Sequence, residues 1–196
     1  IENLDEIVAS DPELAEFKFY LSEIVDGAKY LLSDKEEILI SKMKQTSSSA
    51  WSQLQSQLTS TLKVDYDGKE ITLSEVRNLS SDKSQEVRKK AYEAEMAAYP
   101  KVEQAIAFAL NGVKGEVNTI LEMRGHESAL DEAIYNSRMK RSTLDALISS
   151  MRDYLPHFHK YLKRKAKLLG HDGALPYYDM FAPVGNSSKE FTEEEA

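Results

Sequence analysis

The chain has no cysteine. Disulfides, thiolate metal sites and thiol nucleophiles are therefore excluded. Together with the lack of a signal-peptide pattern at the start, this leans toward a cytoplasmic setting. No apolar run approaches the roughly 20 residues a bilayer-spanning helix needs, so no membrane partner is expected. Basic charge is also in short supply. Twenty-five Lys and Arg face 33 Asp and Glu, a formal net charge of −8, which opposes a general nucleic-acid role because such binding rests on basic surface. The local exceptions are Lys160, Lys163, Arg164, Lys165 and Lys167 in "KYLKRKAKLLG" and Arg138, Lys140 and Arg141 in "RMKR". The first run precedes Gly170 and reads as a solvated helix end, where cations meet the negative end of the helix dipole.

Catalytic signatures are missing as well. There is no G-x-S-x-G, no phosphate-cradling glycine loop and no dinucleotide fingerprint. The di-iron bundle pattern, Glu-x-x-His on two helices, does not occur. "MRGHESALDEA" holds His126 followed by Glu127, the first half of the zinc-protease signature H-E-x-x-H, but the second histidine position is Leu130. Gly125 reads as a helix stop and Ser128 as a helix start, which leaves His126 and Glu127 in a turn. His157 and His159 are two apart on a helix and face away from each other. His171 and Asp172 sit in a Gly-flanked turn and read as polar loop chemistry.

What the 196 residues do contain is a soluble globular balance, 41% hydrophobic and 30% charged, with enough chain for one ordinary domain or two small lobes. Helical periodicity dominates. Asp11 and Pro12 open a helix with Leu14, Phe17, Leu21 and Ile24 on one stripe, and Ser33 and Glu36 stand at capping-box spacing. Trp51, Leu54, Leu58 and Leu62 give a core stripe to a Ser/Gln-rich helix. In "LKVDYDGKEITL" the period changes to two, with Asp67-Gly68 at the break, which is a β-hairpin signal. A helix then runs to Pro100, and another carries Val102, Ile106, Ala109, Leu110, Val113, Val117, Ile120 and Leu121 up to Gly125. Gly112 and Gly115 inside it suggest close approach of a neighbouring helix. The last long helix starts near Ser142, carries Leu144, Leu147, Ile148, Met151, Leu155, Phe158, Leu162 and Leu169, and should kink at Pro156. "LPYYDMFAP" reads as an extended segment. The expected fold is mainly α: a multi-helical lobe with one β-hairpin near residues 62–73 and a short extended segment near 175–183. Thr192 and the glutamates of "FTEEEA" read as a helix start at the very end, and with Ile1 at the beginning this suggests a fragment.

"ALNGVKGEVNTILEMRGHESALDEAIYNSRM" and "LPYYDMFAPVG", in order with the hairpin segment, "SSDKSQEVRKKAYEAEMAAY" and the long helix after Arg141, resemble the oligoendopeptidase F family of zinc metallopeptidases. The resemblance covers nearly the whole chain, and "YYDMFAP" is its sharpest piece. It implies a helical enzyme whose H-E-x-x-H histidines and a further glutamate hold one catalytic zinc in a deep cleft, hydrolysing internal bonds of short unfolded peptides. It implies that residues 1–125 are an N-terminal helical lobe with the hairpin and 126–196 the first elements of the catalytic domain, cut before the zinc helix. No catalytic residue and no metal ligand is carried over onto this chain, so no cofactor is expected in it, and zinc only in the full-length enzyme. Tyr177, Tyr178 and Asp179 are the candidates for lining or supporting the cleft; the plainer alternative is aromatic packing, with Asp179 bonding nearby backbone. The fragment should be inactive and should expose a domain interface through which it self-associates. The other functional class open to these residues is a stand-alone helical scaffold or protein-interaction module.

Overall fold

The computed structural model describes residues 3–185 and residue 192. The helix start expected over Phe191–Ala196 involves residues outside those described. The fold is mainly α, with a single two-stranded sheet among the described residues. The chain divides into two compact units, Ile1–Ser52 with Ala109–Lys140, and Gln53–Phe108 with Arg141–Ala196.

In the first unit, α1 (Leu4–Ser10) and α2 (Pro12–Ala15) precede α3 (Lys18–Ala28) and α4 (Asp34–Thr46). Asp11 caps α2 by accepting the Glu13 N–H at 2.9 Å, and Pro12 occupies the first helical position, where its missing N–H costs nothing. The single stripe expected from Leu14 to Ile24 does not form. The helix breaks at Glu16–Phe17, and Phe17 and Ile24 are exposed. Glu36 accepts from both the N–H (2.9 Å) and the hydroxyl (2.6 Å) of Ser33 at the start of α4, as the capping-box spacing predicts.

Two helices pass from one unit into the other: α5 (Ser48–Thr61) and α8 (Glu103–Arg124). Within the first unit, Glu116 of α8 accepts the Ser48 N–H at 2.7 Å and the Ser48 hydroxyl at 2.6 Å, so a distant carboxylate satisfies the opening turn of α5. Gly112 faces Trp51: a Cβ there would stand 2.4 Å from Trp51 Nε1, the close helix approach its position suggested. Gly115 has nothing within 4 Å of the corresponding point, so that explanation fails for it. The short α9 (Ala129–Asn136) is capped by Ser128, which accepts the Asp131 N–H at 3.1 Å.

The second unit holds the clearest core. β1 (Lys63–Tyr66) and β2 (Lys69–Thr72) pair antiparallel, with Val64 opposite Ile71 and Tyr66 opposite Lys69. Asp67 and Gly68 have φ of 52° and 76°, the positive pair that a tight hairpin turn requires and that Asp-Gly supplies at least cost. The strand continues directly into α6 (Leu73–Asn78), opened by a Thr72–Glu75 capping box. α7 (Gln85–Ala98) packs on the hairpin and on α6, and a 3-10 turn over Tyr99–Lys101 ends it at Pro100. Leu62, Val64, Leu73, Val76, Ala91, Ala98 and Val102 form the buried cluster. Val64 and Val76 are completely enclosed; burying a side chain of that size stabilises by about 1.5–3 kcal/mol.

The 28-residue α10 (Arg141–Leu168) runs through Pro156 and ends at Gly170. Only its last turns are enclosed, at Lys165 and Ala166. After it, Tyr177–Asp179 forms a 3-10 turn, with the Asp179 N–H on the Pro176 carbonyl at 3.0 Å. The segment expected to be extended near 175–183 is thus a turn at its centre, wound around the buried Asp179 side chain.

Candidate functional site

Among the residues singled out in the sequence, Tyr177, Tyr178 and Asp179 are brought together with α7. Asp179 is 0% exposed. Its Oδ1 accepts from Arg88 Nε at 2.9 Å and pairs with Nη2 at 2.7 Å. Its Oδ2 accepts from Gln85 Nε2 at 2.8 Å and meets His171 Nε2 at 2.6 Å. The carboxylate therefore has four contacts, two at each oxygen, which uses its accepting capacity in full. The short contact to Oδ2 assigns the proton of His171 to Nε2. Arg88, 3% exposed, sends Nη1 to the carbonyls of Asp82 (2.7 Å) and Lys83 (3.0 Å). Burial disfavours the charge on Asp179, but the hydrogen bonds from Gln85, His171 and Arg88 and the Arg88 charge outweigh it and hold the carboxyl below its ordinary range. Asp179 bonds these side chains and not merely nearby backbone.

Local structure delivers each partner. Gln85 and Arg88 lie one turn apart in the first turns of α7. His171 follows Gly170, which takes φ of 83° at the end of α10, a conformation costly for any residue with a Cβ. The His171 N–H then returns to the Ala166 carbonyl at 2.9 Å. Lys165, also buried, donates Nζ to the Met180 carbonyl at 2.7 Å. The turn after Pro176 is so anchored to α7 and to the end of α10.

Beside this hub lies a half-open groove of about 540 Å³. Tyr92 and Met96 of α7 and Tyr99 of the 3-10 turn after it line one side, and Tyr177, Tyr178 and Phe181 the other. Tyr177 and Tyr178 approach Tyr92 with ring centroids 5.7 and 6.3 Å apart. Tyr177 is largely exposed and Tyr178 half-buried. At one end Arg77 donates Nε to Glu95 at 2.7 Å, and the Tyr99 hydroxyl also donates to Glu95. Burial, and then the Glu95 hydrogen bond, push the Tyr99 phenol above its ordinary value, so it stays neutral. The groove thus offers aromatic walls and a neutralised polar end. It contains no base–nucleophile pair.

A second hub lies in the other unit. Arg124 grips Glu37 with Nη1 on Oε1 at 2.7 Å and Nη2 on Oε2 at 2.8 Å, and Nη1 also reaches the Tyr30 carbonyl at 2.8 Å. His126, in the turn after Gly125 as expected, stacks on Tyr30 with centroids 4.0 Å apart. Arg124 therefore ties down the turn between α3 and α4. Arg124→Lys removes the two-pronged geometry while keeping the charge. It is expected to lower the melting temperature clearly more than Lys18→Ala, which breaks the exposed Lys18–Asp5 pair and should do almost nothing. Equal, negligible shifts would show that the fork carries no stability.

None of the four histidines fits a metal site. Among the described residues no group of three or more His, Asp or Glu is placed to hold one. His126 is stacked on Tyr30, His157 and His159 are exposed, and His171 shares a saturated carboxylate with an arginine, whose charge would repel a cation. Also among the described residues, no helix is long and apolar enough to cross a membrane. Arg88 and Gln85 are the site residues the sequence did not flag. The available signal was the position of Arg88 one turn before Ala91 on the buried face of α7.

Residues 1–63 match the family model described as Oligopeptidase F. Over 100% of its length the chain is 27% identical to Oligopeptidase PepF of Bacillus subtilis, and over 94% it is 24% identical to Group B oligopeptidase PepB of Streptococcus agalactiae. It spans only 30% and 32% of those two proteins. The crystal structure of oligoendopeptidase-F from Enterococcus faecium shares the fold, with a TM-score of 0.75 at 21% identity, covering 93% of this chain and 37% of that one. Along nearly its whole length the chain is thus similar to a part of oligoendopeptidase F-type peptidases.

Proposed function

We propose that this chain is the N-terminal part of a zinc-dependent oligoendopeptidase that hydrolyses internal bonds of short unfolded peptides in the cytoplasm. Residues 1–125 would be its helical lobe and 126–196 the first elements of its catalytic domain. Tyr177 and Tyr178 would stand on the wall of the substrate cleft, with Asp179 supporting them from behind. The observation that carries this reading is the match to Oligopeptidase PepF along all of this chain and only 30% of that protein. A wall of this kind acts by shape: an enclosed cleft admits extended peptides and excludes folded proteins. Among the described residues no group of three or more His, Asp or Glu is placed to hold a metal; in this reading the zinc site would lie in the remainder of the parent.

Two measurements test this. Reading the gene onward from the Ala196 codon should reveal an in-frame H-E-x-x-H and a later glutamate; an immediate stop codon would overturn the reading. The dialysed chain should hold far less than one zinc and leave an internally quenched peptide intact, and one tightly held zinc per chain would contradict it.

The reading also explains α10. Leu147, Met151, Tyr154, Leu155 and Phe158 recur every three or four residues and are 46–64% exposed. A stripe of this width is made to be covered, and the rest of the parent enzyme is the cover we propose. Isolated, the chain is expected to self-associate as concentration rises, and Met151→Glu with Phe158→Glu to return it to monomer. Sedimentation showing a monomer at high concentration would count against this.

A further inference from the structure

Four of the eight glycines follow an aspartate or an asparagine: Asp26-Gly27, Asp67-Gly68, Asn111-Gly112 and Asp172-Gly173. In such a pair the glycine amide nitrogen can attack the side-chain carbonyl carbon before it, because glycine has no Cβ to obstruct the approach. Ring closure also needs a backbone free to turn and an N–H that is not already engaged. Three of the pairs are chemically identical, so the fold decides which of them reacts.

Asp26-Gly27 lies inside α3 and Asn111-Gly112 inside α8, where the helix ladder engages the glycine N–H and fixes the backbone. Asp67-Gly68 forms the hairpin turn and is exposed but held. The Gly68 N–H donates to Asp65 Oδ1 at 3.0 Å, and the Asp67 carboxylate faces Lys90 Nζ at 3.6 Å. Asp172-Gly173 has no such restraint. Both residues are exposed and lie in a bend outside any helix or strand. Among the described residues, neither the Gly173 N–H nor the Asp172 carboxylate has a hydrogen-bond or ion-pair partner. Nothing stands within 4 Å of the point a Gly173 Cβ would occupy, so a ring has room to form.

We infer that Asp172-Gly173 is a self-modification site, at which Asp172 converts to isoaspartate while the chain is folded. The Gly173 nitrogen bonds to Cγ of Asp172, and the carboxyl hydroxyl leaves as water with the amide proton. Water then opens the cyclic imide. Addition at the Asp172 backbone carbonyl carbon leaves the chain running through Cγ, and addition at Cγ restores aspartate. Water is the only co-reactant, nothing is oxidised or reduced, and the mass returns to its starting value. The product has one more carbon in the backbone of a loop pinned at both ends. The His171 N–H on the Ala166 carbonyl holds one end, and Asp179 on Arg88 the other. None of this depends on the parent being a peptidase.

The test holds the whole chain folded at neutral pH and body temperature and takes samples over weeks. Each is digested and mapped by mass spectrometry with electron-transfer fragmentation, which distinguishes isoaspartate from aspartate. Isoaspartate should accumulate first at Asp172. At Asp67 it should form about two- to tenfold more slowly, the factor that one retained hydrogen bond supplies, and at Asp26 more slowly still. In concentrated urea the three aspartates should react at similar rates, since the fold no longer separates them. Gly173 does not take a left-handed φ, so Gly173→Val should fold. Its branched side chain shields the amide nitrogen, which should slow Asp172 severalfold and leave Asp67 unchanged. Asp67 or Asp26 reacting as fast as Asp172 in the folded chain would overturn the inference. So would a rate at Asp172 that Gly173→Val does not change, or isoaspartate at Asp172 that appears only in urea.

Discussion

Asp179→Asn is expected to destabilise the chain by about 3–5 kcal/mol, the cost of leaving one member of a buried ion pair without its partner. Several features put the replacement at the costly end. Arg88 is 3% exposed and Asp179 not exposed at all, so water cannot take over the lost contacts. The guanidinium would keep its two carbonyl acceptors but face a neutral amide whose NH₂ group points a donor at a donor. Turned the other way, the amide would keep an acceptor for Arg88 and point its NH₂ at Gln85 and His171 instead. Against a typical total of about 5–15 kcal/mol for a folded domain, that is a large share, and chemical denaturation followed by circular dichroism will read it directly. A loss under about 1 kcal/mol would mean that the pair behaves like an exposed one. The paired replacement Arg88→Met with Asp179→Leu should recover part of the loss, because it removes both charges, but not all of it, because Gln85, His171 and two carbonyls remain unsatisfied.

The same carboxylate sets an acid limb. Its folded pKa lies below the ordinary aspartate value of 3.8, so the folded state favours the ionised form. The stability this contributes is complete above about pH 4 and is lost as the pH falls through the folded value. In Asp179→Asn the group no longer titrates, so the stability gap between variant and parent chain should be widest near neutral pH and should close on acidification. A gap that stayed constant down to pH 2 would mean that the carboxylate titrates alike in the folded and the unfolded chain.

What could be read from the letters and what could not divides by range. Asp11-Pro12, Ser33 with Glu36, and Asp67-Gly68 announce their structures because every interaction involved closes within three or four residues. The Arg88–Asp179 pair spans 91 positions, and nothing beside either residue names the other. Arg88 sits in "SQEVRKK", where two following lysines make it look like one more solvated cation. The turn at Tyr177–Asp179 was hidden for the same reason: two tyrosines after a proline favour extended backbone, and the distant Arg88 and Gln85 supply the reason to wind inward. α10 shows the opposite failure. Its apolar residues recur at helical spacing from Leu144 to Leu162, but a stripe does not reveal whether its cover lies in the same chain.

Gly112→Ala sets two effects of known size against each other. Alanine is the better helix former by about 1 kcal/mol, and α8 continues for twelve residues beyond this point to Arg124, so propensity alone predicts a gain. The Cβ, however, would lie 2.4, 2.5 and 2.8 Å from three atoms of the Trp51 ring. An indole is rigid, so the ring must swing away as a whole or the helices must part, and overpacking of this kind costs about 1–3 kcal/mol. The clash should win, giving a net loss of up to about 2 kcal/mol. Trp51 is the only tryptophan, so its emission should shift in the folded variant. Gly115→Ala provides the control on the same helix. With nothing within 4 Å of its Cβ it should keep the propensity gain of about 1 kcal/mol and leave the emission unchanged. If both alanines stabilise, the Trp51 contact yields easily and close approach is not why glycine stands at 112. If both destabilise, the glycines serve the flexibility of α8, and the packing argument fails for Gly112 too.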